Sequence, residues 1–306
     1  MDSPVTWIGS KKRYLSILYA AFPLEYQWYV EPFGGSCSVL LGKPQQDPHE
    51  VYNDSNQDLI NLFRCIRDRP LRLIWQLGFH WLNARDDFKA LKGFLESGVL
   101  DNPFLEDELA VSEILLPSPQ AQEIQQLLWE KASDHEVRRA AMFLRLIRYS
   151  YASNGTSFGR NSVNLAELFR LIHQCSRRLQ NVVIENWDFE TVVRHYDRLD
   201  TFFYCDPPYF QSEGLYQCRF AAEDHRRLQA ALSKAAGKWL LSYNDCPEIR
   251  ALYRGFEMLR FSRLHGMVQK YRPGEEYPEL LIGNYDLCER ERGQLRIELF
   301  DSVASG

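Results

Sequence analysis

Seven short runs of the chain are apolar and rich in β-branched or aromatic residues, each bounded by turn residues or a helix start. They are WYVEPF (28–33), EVYND (50–54), NVVIEN (181–186), TFFYCD (201–206), KWLLSYN (238–244), EMLRFS (257–262) and ELLIGNY (279–285). Runs of this length and composition predict buried strands. Between them, apolar residues recur at helical spacing in SKKRYLSILYAAF (10–22), NQDLINLFRCIRD (56–68) and EDHRRLQAALSKAA (223–236). Strands alternating with helices predict an α/β fold with a mostly parallel sheet. The last two runs have no helical pattern between them, so an antiparallel pair closing one sheet edge is expected. Residues 69–164 break the alternation. They carry no strand pattern, are rich in Leu, Glu, Gln, Ala and Arg, and are interrupted at DNPF and LPSP. The expected organisation is one α/β domain made of 1–68 and 165–306, with 69–164 as a helical insertion.

Composition adds constraints. At 306 residues, 45% hydrophobic and 25% charged, the chain is ordinary for a soluble globular protein. No apolar run reaches membrane-span length, and Met1 to Lys12 contain no apolar signal core, so a cytoplasmic protein is expected. The seven cysteines show no C-x-x-C spacing, which predicts reduced, buried thiols and no metal site. A net charge of −5 argues against a nucleic-acid partner for the chain taken as a whole. Locally the picture changes. From Arg138 to Arg160 there are five arginines and no acidic residue. Such a stripe suffices for phosphate contacts, because counterion release depends on the contacts made. Arg138, Arg145, Arg148, Asn154, Ser157, Arg160 and Asn161 are the expected nucleic-acid contacts; a solvated helix face explains the same pattern.

The most specific motif is Asp206-Pro207-Pro208-Tyr209, directly after the strand TFFYC. Its chance occurrence in a chain this long is on the order of one in a thousand. The carboxyl end of a strand is where open α/β sheets bind ligands. The Asp206 carboxylate and the Pro207 carbonyl are two acceptors that can hold the two N–H bonds of an exocyclic amine and localise its lone pair. Consecutive prolines stiffen the loop, and Tyr209 offers a ring on which an extruded base can stack. A second motif, Glu31-Pro32-Phe33-Gly34-Gly35-Ser36-Cys37, has the strand–glycine–helix layout of a nucleotide-binding turn. Asp54 lies 19 residues beyond Gly35. It suits either a ribose acceptor or a helix cap. Trp7-Ile8-Gly9-Ser10-Lys11 places an aromatic and a cation at a helix start. Asp188-Phe189 follows the third strand, as a cap or as a contact to an adenine ring.

Together these segments resemble the Dam-like, alpha-group adenine-specific DNA methyltransferases over nearly the whole chain. WIGSK, EPFGGSCSVLL, YNDSNQDLINLFRCIRDRP, NWDFETVV, YCDPPYF, FAAEDHRRLQAAL, LLSYND and ELLIGNY follow in that family's order. The resemblance implies a seven-stranded, Rossmann-like methyltransferase sheet with one reversed strand and a helical target-recognition insertion. It implies transfer of a methyl group from S-adenosylmethionine to the N6 amino group of adenine in double-stranded DNA. No metal is expected, and a monomer is the default expectation. Trp7, Lys11, Asp54 and Asp206 match cofactor-contacting positions, as do Phe33, Gly35, Asp188 and Phe189. Glu31, which opens the glycine motif, is grouped with them. Asp206, Pro207, Pro208 and Tyr209 match the catalytic loop. The family's glycine turn ends in glycine where this chain has Cys37, and the segment YASNGTSFGRNSVNL matches the family's site-reading region only loosely, so no target sequence is carried over. Transfer to cytosine N4 or to an RNA adenine fits the same loop, and a silent DNA-binding relative fits the fold. A dehydrogenase does not, for want of G-x-G-x-x-G.

Overall fold

The computed structural model of the chain describes residues 1–7, 9–43, 47–78, 85–96, 134–153, 155–159, 163–210, 220–264, 276–290 and 292. All seven expected strands form: β1 (Trp28–Glu31), β2 (His49–Asn53), β3 (Val182–Glu185), β4 (Thr201–Cys205), β5 (Lys238–Asn244), β6 (Glu257–Leu264) and β7 (Glu276–Gly283). They build one sheet in the order β3-β2-β1-β4-β5-β7-β6. β1 runs parallel to β2 and β4, and β4 to β5. β7 is antiparallel to both of its neighbours, which makes it the single reversed strand. The chain runs outward from β1 to β3 and returns to β4 beside β1. That reversal opens a crevice beyond the carboxyl ends of β1 and β4, the place where such sheets bind ligands.

The described α-helices are α1 (Leu15–Ala20), α2 (Ser38–Gly42), α3 (Gln57–Asp68), α4 (Pro70–Gly78), α5 (Arg85–Glu96), α6 (Asp134–Tyr149), α7 (Leu165–Leu179), α8 (Phe189–Tyr196), α9 (Ala222–Lys234) and α10 (Pro247–Leu252). None of them is long and apolar enough to cross a membrane. The chain divides into two compact units, each made of two segments: Met1–Ser10 with Asn56–Ile184, and Lys11–Ser55 with Glu185–Gly306.

In the unit of Lys11–Ser55 and Glu185–Gly306, strand alternation sends Val30, Val51, Phe203 and Cys205 into one core with Val192, Val193 and Tyr196 of α8 and Leu228 and Leu232 of α9. On the opposite face Phe22 meets Phe202 edge-on at 4.7 Å and lies 5.8 Å from Tyr29. Each such buried aromatic contributes about 1.5–3 kcal/mol of transfer free energy.

The other unit is helical. α3 places Leu59, Ile60, Phe63 and Ile66 on one buried face, and the Asn56 side chain caps it by accepting from the Leu59 amide at 3.0 Å. α7 repeats the design with Leu168, Ile172, Cys175 and Leu179, capped by Asn164. Both α3 and α4 pack against α6 and α7, while α5 packs against α6. This packing draws α3 and α7 into the helical unit, and the compact units part at 10/11, 55/56 and 184/185.

The cationic stripe expected on α6 is a correction. Arg138 is exposed. Arg145 is 7% exposed and donates to the carbonyls of Gln76 and Leu77, the unpaired carboxyl-terminal groups of α4. Arg148 donates to the Pro4 carbonyl through Nε at 2.9 Å and through its terminal nitrogen at 2.5 Å. Burial lowers the pKa of both groups. Their charges tie the unit together and do not form an open basic face. Ser157 is exposed, while Asn154, Arg160 and Asn161 lie outside the described residues.

Candidate active site

Beyond β1 the chain turns through Pro32-Phe33-Gly34-Gly35-Ser36-Cys37 into α2. A Cβ on Gly34 would stand 2.1 Å from Cε2 of Tyr52, so the turn admits only glycine there. The Tyr52 ring is fixed by its hydroxyl, which donates to the Gly35 carbonyl at 2.7 Å. Gly35 has φ of 49° and Cys37 has φ of 58°. Cys37 therefore adopts the left-handed conformation natural to glycine, at a cost of roughly 1 kcal/mol. Its amide donates to the Gly34 carbonyl at 2.8 Å and its carbonyl accepts from the Leu41 amide at 3.0 Å, which holds it there.

At the end of β2, Asp54 Oδ2 accepts from the Gly35 amide at 3.0 Å. Since Asn56 is the helix cap, Asp54 belongs to the glycine turn. Asn53 is buried and joins three chain segments. Its Nδ2 donates to the Pro32 carbonyl at 2.8 Å and the Trp187 carbonyl at 3.1 Å, and its Oδ1 accepts from the Trp187 amide at 2.8 Å. The ends of β1 and β2 and the segment after β3 are thus held in register.

These segments border a cleft lined by Phe33, Trp187, Asp188, Phe189, Pro208 and Phe220, among others. Phe33 and Phe189 stack with centroids 5.3 Å apart, and Phe220 stands edge-on to Phe33 at 5.8 Å. Asp188 is a helix cap. Its carboxylate caps α8 by accepting from the Glu190 amide at 3.0 Å, and it lines the cleft. It also accepts from Arg227 at 2.8 Å. Arg227 reaches Asp224 at 2.8 Å as well, and its guanidinium lies 4.9 Å over the Phe189 ring.

β4 ends at Cys205, which sets Asp206 at the mouth of the crevice. Both carboxylate oxygens accept from Lys11 Nζ at 2.7 Å. Lys11 is 3% exposed, and the Asp206 side chain is 18% exposed. The same ammonium sits 4.9 Å from the centroid of the Tyr209 ring. Lys11, Asp206 and Tyr209 are therefore brought together; Tyr209 is buried, and Lys11 stands over the ring that was expected to receive a base. Pro208 lines the aromatic cleft, so the loop after β4 joins the two features.

A family model described as D12 class N6 adenine-specific DNA methyltransferase matches residues 7–267. The chain belongs to that family. A Type II methyltransferase of Lactococcus lactis subsp. cremoris, M1.LlaDCHI, is 26% identical over 306 residues, covering 91% of this chain and 94% of the relative.

This D12-class methyltransferase is accordingly a transferase that methylates adenine in DNA, consuming a methyl donor. Two of the residues that the resemblance groups around the cofactor make contacts of another kind. Trp7 belongs to the helical unit, where it packs on Phe143 at 6.2 Å. Glu31 is not among the cleft-lining residues. It is buried, and its Oε1 accepts from the Tyr29 hydroxyl at 2.6 Å. Burial pushes its carboxyl up to about 8, opposed by that hydrogen bond and by the Lys43 charge. Gly35 serves through its backbone, as described. In the other direction, the sequence assigns no individual role to Asn53, Phe220, Asp224 or Arg227. The signal for the last three was the segment FAAEDHRRLQAAL, noticed only as a family element.

Proposed function

We propose that this methyltransferase takes S-adenosylmethionine as its donor, extrudes the target adenine from double-stranded DNA and methylates its N6 amino group. The observation that carries this reading is the Asp206 carboxylate, whose two oxygens both accept from one nitrogen at 2.7 Å. A carboxylate so placed is built to receive a nitrogen bearing N–H bonds, and the Lys11 ammonium stands in for the amine.

The residues fit the donor. The stacked Phe33 and Phe189 with the edge of Phe220 suit the flat face of an adenine ring. Asp54, held at the glycine turn, suits ribose hydroxyls. The missing side chain of Gly35 lets the main chain approach closely. Bound there, S-adenosylmethionine supplies a methyl group activated on a sulfonium.

The remaining work belongs to the chain. Asp206 and the Pro207 carbonyl accept the two N–H bonds of the target amine, drawing its nitrogen toward a tetrahedral shape with a localised lone pair. Lys11 yields its place on Asp206 as the amine arrives, uncovering the Tyr209 ring for the base. The methylated amine is briefly cationic, the carboxylate stabilises it, and one proton leaves to water. Preorganisation of these acceptors is the main source of rate. Target reading is assigned to the helical segment 69–164, with phosphate contact at Arg138 and base contact near Ser157, Asn154, Arg160 and Asn161. The enzyme acts as a monomer in the cytoplasm of a prokaryotic cell or phage-infected host.

The test is single-molecule methylation sequencing of DNA from a methylation-deficient bacterial host expressing this chain or its Asp206→Asn variant. N6-methyladenine at one recurring motif, absent in the variant, is expected. N4-methylcytosine, or equal methylation by the variant, would overturn the reading.

A further inference from the structure

Two segments in the second half of the chain, FAAEDHRRLQAAL (220–232) and LLSYND (240–245), build α9 and the end of β5. Between them lies a buried polar contact. His225 on α9 and Tyr243 on β5 are both buried, and His225 Nδ1 is 2.5 Å from the Tyr243 hydroxyl. Burial raises the Tyr243 phenol well above its ordinary value, so the hydroxyl keeps its proton.

What surrounds this contact is specific. The His225 ring stands edge-on to Phe210 at 5.3 Å and to Phe220 at 4.8 Å. Phe210 directly follows Tyr209, and Phe220 directly precedes the turn into α9. One imidazole therefore meets the chain on both sides of 211–219. The Tyr243 ring lies 6.0 Å from that of Tyr209. Next to it, Asn244 Nδ2 donates to the Phe210 carbonyl at 3.2 Å. Residues 209 and 210 are thus held from three sides, all by α9 and β5. Phe220 in turn packs on Phe33 and Phe189. An aromatic row runs from the cleft through Phe220, His225 and Tyr243 to Tyr209.

Resting on the function proposed above, we propose that His225 and Tyr243 are positioning residues: their mutual hydrogen bond fixes the loop that carries Asp206 and Tyr209 in its reactive geometry. Neither touches the reacting atoms. A buried hydrogen bond between two side chains with packed rings sets the rotation of both, and through them the placement of Tyr209 and Phe210. Methyl transfer needs the amine aligned in line with the sulfonium, and a displacement of about 1 Å is enough to cost on the order of 100-fold in rate.

The experiment compares Tyr243→Phe, which removes one oxygen and keeps the ring, with His225→Phe, the double variant and His225→Gln. Single-turnover methylation of target DNA, cofactor binding by calorimetry and amide hydrogen exchange at Asp206, Tyr209 and Phe210, the three residues of 206–210 that carry an amide hydrogen, are measured on each. Each phenylalanine variant is expected to slow methyl transfer about tenfold. The double variant should be no slower than the slower single, because both remove one shared bond. Cofactor affinity should stay within about threefold, as the cleft itself is intact, and glutamine should recover part of the rate. Exchange at 206–210 should rise in both single variants. Folded variants with wild-type rate and exchange overturn the inference. So do additive losses, or rate and cofactor affinity falling in parallel as in a general loosening. If the wild-type chain fails to methylate DNA, the proposed function falls, while the exchange readout still decides the inference by itself.

Discussion

Lys11 carries a positive charge with almost no contact with solvent, and the Asp206 carboxylate is its compensation. Asp206→Ala should therefore do two things: abolish methylation and leave a buried cation without its carboxylate. Breaking such a pair costs about 3 kcal/mol. A denaturant melt should show that loss in Asp206→Ala, while Lys11→Met with Asp206→Ala should regain most of the stability and none of the activity. A melt of the single variant equal to wild type would mean that the pair contributes nothing to the fold. Glu31 gives a second residue-level expectation. Burial lifts its folded pKa from 4.5 to about 8, so the folded state binds this proton more tightly than the unfolded chain does. The associated stability is complete below about pH 4.5 and is lost as pH rises through about 8. Glu31→Gln removes the titration. Relative to wild type, the variant should gain stability steadily between those limits, as read from melts across the pH series.

The glycine turn shows how a single absent side chain acts through an element. A methyl group at Gly34 must displace the Tyr52 ring, and with it the bond from its hydroxyl to the Gly35 carbonyl. Gly34→Ala should weaken S-adenosylmethionine binding about tenfold in calorimetry, a change of about 1.4 kcal/mol. Unchanged affinity would show that the turn can relax without Tyr52. Elements were the most legible part of the chain. Each strand is a compact apolar run, and a run of that kind has few folded alternatives. The Asp206–Tyr209 loop stands out in the sequence because its composition is rare and it follows a strand. The arginines of α6 were not legible. Arg138 and Arg145 are seven residues apart, nearly two helical turns, so periodicity puts them on one face. Only the packing of α4 decides that Arg145 is covered and caps carbonyls while Arg138 stays in water. Asn53 and Phe220 were missed for a related reason: their partners come from distant segments, and local pattern carries no trace of them.

At the scale of the whole molecule, a net charge of −5 coexists with a DNA substrate, so each exposed cation in the helical unit carries weight. Arg138→Ala should weaken DNA binding and reduce the slope of log affinity against log salt by about 1. Arg145→Ala should leave that slope unchanged and lower the stability of the helical unit instead, because its bonds go to α4. The reverse pattern in a salt titration would restore Arg145 to the DNA surface.

The division of each unit between two chain segments has a consequence for synthesis. Residues Lys11–Ser55 are made before Asn56–Ile184, yet β4, which pairs with β1, is made only after Ile184. At about 5–20 residues per second, β1 and β2 wait on the order of ten seconds for that neighbour. Through this interval they present apolar strand edges, while the helices of Asn56–Ile184 can already collapse on one another. The nascent chain is therefore expected to depend on chaperones that shield Lys11–Ser55, and faster translation should raise its soluble yield.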